Sequence, residues 1–90
     1  RGSPSLSSRL EGKALSLPEP EVPANTVKEP TRIFVKIKLN SEGQVFSATS
    51  EAGEQVLRDA AIEAAKKSTF SIEKFRRRWG VWGTITYTFQ

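Results

Sequence analysis

Apolar and polar residues alternate with a period of two in two stretches of the chain, and a stretch of helical spacing lies between them. Over residues 32–39, Ile33, Val35, Ile37 and Leu39 fall on one side and Phe34, Lys36 and Lys38 on the other. That alternation predicts a strand with one buried face. Asn40-Ser41-Glu42-Gly43 follows as a four-residue hairpin turn, with glycine where a positive φ is wanted. Residues 45–50 form the return strand. Val45 and Ala48 suit a core, Phe46 breaks the alternation, and a bulge near 46–47 is expected. Residues 54–68 read as a helix. Val56, Leu57, Ala60, Ala61, Ala64 and Ala65 share one face, and Asp59, Glu63 and Lys66 face water. The small alanine side chains let such a helix sit close against a sheet. In the connector at residues 69–80, Phe70, Ile72 and Phe75 are placed to plug the seam between sheet and helix. Residues 81–89 make a last strand, with Ile85, Tyr87 and Phe89 pointing one way and Trp82, Thr84, Thr86 and Thr88 the other.

The first third differs in character. All five prolines lie within it. Residues 1–11 are rich in serine and have no period, so disorder is expected there. Residues 12–31 read as a Pro-rich extended lead-in, because proline lacks a donor N–H and biases its predecessor away from helix. Leu15, Leu17 and Val22 can dock on a core formed by the domain at 32–90. The order hairpin, helix, strand predicts a small α+β fold. Its sheet is three-stranded and antiparallel in the order 2-1-3, with one main helix packed on one face. The last strand then lies at an edge. Phe34, Phe46 and Trp82 share the sheet face away from the helix, to be covered by the Leu15/Leu17 segment or by a second copy of the chain in a homodimer.

Composition narrows the chemistry. Ninety residues hold one domain at most. The chain has no cysteine, histidine or methionine. Disulfides, thiol nucleophiles and Cys-ligated metals are therefore excluded, and the commonest general base is missing. No apolar run reaches the ~20 residues of a membrane-spanning helix, and no apolar signal core opens the chain. The opening Arg1-Gly2-Ser3, without methionine, suggests a processed or excised piece. Glu51 and Glu54 form the nearest approach to a carboxylate pair, but their place before the helix suits its N-terminal dipole. Gly80 and Gly83 flank Val81-Trp82 with no phosphate-binding fingerprint. No catalytic, cofactor or metal residue is assigned, and a non-enzymatic role is expected.

Residues 66–90 carry six basic side chains against the single acid Glu73, within a chain of net charge +4. Lys74, Arg76, Arg77 and Arg78 form a basic patch beside Phe75, Trp79 and Trp82. Three readings stand: a solvated connector, a surface for an acidic partner or anionic lipid, and a nucleic-acid site. The other candidate is the main chain of the last strand. An edge strand exposes unpaired N–H and C=O groups to which an extended peptide can add, so Trp82, Gly83, Thr84, Ile85, Thr86, Tyr87 and Thr88 are the candidate peptide-binding residues.

Three stretches resemble the C-terminal domain of TonB, the energy transducer of Gram-negative bacteria. VKIKLNSEGQVFSA (35–48) is similar to the family hairpin, LRDAAIEAAKKSTF (57–70) to its helix with an aromatic exit, and GTITYTF (83–89) to its closing strand. GKALSLPEPEVP (12–23) is similar to the lead-in of some members. The resemblance implies a periplasmic module at the soluble end of an inner-membrane-anchored protein, and no cofactor. It also implies two partners: an extended peptide of an outer-membrane TonB-dependent receptor, and an inner-membrane complex driven by the proton-motive force. Two other roles remain open, a TonB-like fold in a structural or interaction protein and a small basic nucleic-acid binder.

Overall fold

Strict alternation makes residues 31–39 the spine of the sheet: Ile33, Val35 and Ile37 are fully buried, and the residues between them are exposed. The computed structural model describes residues 2–23, 25–76 and 80–90. Its elements in chain order are β1 (Gly2–Leu6), β2 (Ala14–Ser16), β3 (Thr31–Leu39), β4 (Val45–Thr49), α1 (Gln55–Lys66), β5 (Thr69–Phe70), a 3₁₀ turn at Ile72–Lys74, and β6 (Val81–Phe89). Among the described residues the protein is a small α+β domain with antiparallel sheets and one α-helix.

The β3–β4 hairpin closes through Asn40, whose Oδ1 accepts from the backbone N–H groups of Glu42 and Gln44 at 2.9 Å each. Gly43 turns with φ 82°, and a Cβ there would collide with the carbonyl oxygen of Phe70. The two strands stay in register from Lys36↔Thr49 to Lys38↔Ser47, after which Leu39 faces Val45. Phe46 is the extra residue of the expected bulge, and it points to solvent.

Leu57, Ala61, Ala64 and Ala65 bury one stripe of α1, which packs on β3 and β4. Val56, assigned to that stripe from spacing, is exposed, because the stripe centres on Leu57 and Ala61 and leaves Val56 at its margin. Phe70 is buried, while Ile72 and Phe75 pack at the edge of the core.

The sheet differs from expectation in its membership. It has four strands in the order β1-β6-β3-β4. The three expected strands keep their 2-1-3 order, but Gly2–Leu6 adds antiparallel to the far side of β6. The last strand is therefore interior and not an edge. Residues 1–11 were expected to be disordered. Instead Gly2–Leu6 is a strand, and Leu10, in the turn after it, is fully buried in the core. An edge strand needs main-chain partners more than side-chain burial, so its sequence need not show a period.

A second, two-stranded sheet pairs β2 with β5, and Ser71 donates to the Lys13 carbonyl at 2.8 Å. This pairing fixes the lead-in. Leu17 and Val22 reach the core as expected, but Leu15 is 69% exposed. Neither leucine covers the aromatic face: Phe34, Phe46 and Trp82 remain open to solvent, at 58%, 64% and 44%.

Candidate functional site

Nine regular residues give β6 two usable main-chain edges. One pairs with β3 over its whole length, from Thr31↔Phe89 to Leu39↔Val81. The other holds β1, from Gly2↔Phe89 to Leu6↔Ile85. The Ser7 N–H continues that ladder to the Thr84 carbonyl at 3.0 Å, and the Thr84 N–H ends it on the Ser7 hydroxyl at 3.2 Å. Leu10 then folds back over Gly83, whose missing side chain makes the room: a Cβ there would lie 2.5 Å from Leu10 Cγ.

The alternation of an antiparallel ladder fixes which groups of β1 point where. Ser7↔Thr84 is a hydrogen-bonded pair, so Ser5↔Thr86 and Ser3↔Thr88 share its phase, and Pro4↔Tyr87 falls between them. Proline's missing N–H thus lies on the outer side of β1, where it blunts the sheet's border. The opposite border is also interrupted, because β4 is five residues long and carries the Phe46 bulge. The long regular edge of this sheet is the one beneath β1, and its occupant is Gly-Ser-Pro-Ser-Leu, poor strand material apart from leucine.

The side chains of the predicted peptide site divide between two faces. Ile85 and Tyr87 are buried in the core, and Gly83 lies under Leu10. These three offer main chain only. Trp82, Thr84, Thr86 and Thr88 point to the open face. Around the Trp82 ring stand the Arg9 guanidinium, 4.6 Å from the centroid, and the Lys36 ammonium at 5.1 Å. Burial pushes the Tyr87 phenol up to about 12, against a smaller lowering from the neighbouring Ser68. The Ser68 hydroxyl donates to the Ala64 carbonyl at 3.2 Å, and beyond its approach to Ser68 the Tyr87 hydroxyl has no hydrogen-bond partner among the described residues.

Of the predicted basic patch, Lys74 lies exposed on the 3₁₀ turn and Arg76 is exposed just beyond it. Arg77 and Arg78, with Trp79, lie outside the described residues. Arg76 joins two cations that the sequence did not associate with it, Arg9 and Lys13. Together with Phe75 and Trp82 they line a recess of about 400 Å³. The Lys13 ammonium stands 4.6 Å from the Phe75 centroid and donates to the Arg9 carbonyl at 3.2 Å. Only the β1 pairing brings Arg9 here. Leu6 and Leu10, large apolar residues in a serine-rich stretch, were the available signal.

No family model, curated protein or solved structure matches this chain.

Proposed function

We propose that this chain is a non-enzymatic module that takes up an extended peptide by strand addition along β6. In the reading implied by the resemblance to TonB C-terminal domains, the peptide belongs to an outer-membrane receptor and the domain works in the periplasm. There it would be linked to an inner-membrane complex through a preceding anchor and Pro-rich spacer, passing force as tension on the added strand.

One observation carries the reading. The outer edge of β6 already accepts an extended segment, antiparallel and in register over five residue pairs. Because that segment is part of this chain, a foreign strand does not simply add to a free edge. It exchanges with Gly2–Leu6. Pro4 opposes addition outside β1, while β6 beneath it is regular, so exchange is the favoured route. The incoming peptide gains main-chain hydrogen bonds, and its side chains on one face meet Thr84, Thr86 and Thr88.

The test titrates isotope-labelled domain with a short Val/Thr-rich peptide and follows the amide signals. Shifts are expected at residues 84–89, with loss of protection at residues 2–6. Ser5→Pro deletes the Ser5 N–H that faces β6, so it loosens the resident strand and raises peptide affinity by the fraction of edge it frees. Shifts confined to other elements, or weaker binding by Ser5→Pro, would exclude β6 as the docking edge.

A further inference from the structure

We infer that the open face of the four-stranded sheet is a docking surface for an anionic phospholipid bilayer. This rests on the side chains of that face and not on strand exchange at β6. Strand positions turned to it carry the cations Arg32, Lys36 and Lys38 and the rings Phe34 and Trp82, set among serines and threonines. Phe46 joins them from the bulge, sharing a recess of about 240 Å³ with Lys38 and Trp82. None of these strand positions is acidic; Glu51 stands at the rim, in the hollow beside Arg32 and Phe34.

Charge decides among the occupants. A second copy laid on this face would bring its own Arg32, Lys36 and Lys38 against ours, so like charges oppose self-association there. The chain's own lead-in is engaged elsewhere, through β2 and the core contacts of Leu17. An anionic partner remains, and the layout of the rings favours a surface over a polymer. Phe34 lies opposite Thr86 and Trp82 opposite Lys38, four positions or about 13 Å apart along the strands. The strand positions of Phe46 and Trp82 lie on either side of β3, roughly 10 Å apart. Cations stand between the rings, and the Trp82 ring is already engaged by Arg9 and Lys36. Stacking bases need free ring faces in a row along a backbone groove. Separated rings among cations instead suit a plane of headgroups, with aromatics entering the interface and ammonium and guanidinium groups meeting phosphates.

The experiment is co-sedimentation of the whole chain with vesicles of phosphatidylcholine alone and with added phosphatidylglycerol. Binding to the anionic vesicles only, weakening as salt rises, is expected. Lys36→Glu/Lys38→Glu, at two exposed positions, should lower partitioning by about tenfold or more. Phe34→Ser/Phe46→Ser should lower it several-fold, with circular dichroism unchanged for both. Equal binding to the two vesicle types, or full binding by Lys36→Glu/Lys38→Glu, overturns the inference. So does tighter binding of a single-stranded oligothymidylate than of anionic vesicles, which would assign the face to nucleic acid. Peptide titration reads the β6 edge separately, so failure of either reading leaves the other standing.

Discussion

Leu10 and Gly83 provide the sharpest test of whether the N-terminal residues belong to the fold. Leu10 is fully buried, and removing a buried leucine side chain costs about 2–5 kcal/mol, the upper end applying where the site cannot collapse. In a domain of this size each kcal/mol lowers the melting temperature by roughly 4–8 °C, so Leu10→Ala should lose about 8 °C or more. Gly83→Ala acts on the same contact from the other side. The new methyl would lie 2.5, 2.7 and 3.0 Å from Leu10 Cγ, Cδ1 and Cδ2, and such overpacking costs about 1–3 kcal/mol. Combined, the two changes should not add. Leu10→Ala vacates the volume the Gly83→Ala methyl needs, so the double variant should be about 1–2 kcal/mol more stable than the sum of the singles predicts. Urea denaturation of the four proteins, followed by far-ultraviolet circular dichroism, closes the cycle. If residues 1–11 are only a tail, Leu10→Ala shifts the midpoint negligibly. If they are docked but elsewhere, the two changes add. Either result removes β1 from the sheet and returns β6 to the border.

Three further outcomes follow from single contacts. Asn40→Ala leaves the Glu42 and Gln44 N–H groups without their side-chain acceptor and should cost about 1–2 kcal/mol in thermal denaturation, whereas Asn40→Asp, which keeps the oxygen, should cost far less. Tyr87 makes stability depend on alkaline pH. The unfolded chain releases its phenol proton near 10 and the folded one near 12, so across that window the unfolded state binds fewer protons. Stability present below pH 10 is lost as pH rises towards 12, and Tyr87→Phe should flatten this fall when urea midpoints are compared across the range. Finally, Val56→Ser and Leu15→Ser should each change stability by no more than about 0.5 kcal/mol, since both side chains are exposed despite their apolar spacing.

The contrast between Val56 and Leu10 shows where sequence reading has power and where it fails. Side-chain pattern reports on burial of a repeating face, and it served for β3, for most of α1, and for the inward row of β6. It even located the bulge, because Phe46 interrupts a period already established by its neighbours. It has no hold on an element whose contribution is main-chain hydrogen bonding. Gly2–Leu6 alternates in burial, but its inward row is Gly2, Pro4 and Leu6, of which two are poor strand formers, so hydropathy gave no signal, and its proline is tolerated because its missing donor points outward. Arg9 reaches Trp82, and Leu10 reaches Gly83, from the turn that follows that pairing, so the Arg9 side of the cationic recess was equally illegible. The same reasoning bears on function. A strand held largely by its backbone is one that another backbone can replace, provided the Leu10 turn stays docked over Gly83 and the incoming strand refills the inward places of Pro4 and Leu6. An occupant chosen by hydrogen-bonding geometry imposes few sequence demands on its replacement. Selectivity at the β6 edge would then come from the threonine row and from what lies past Thr84, where the Leu10 turn decides how far along β6 an incoming strand can run.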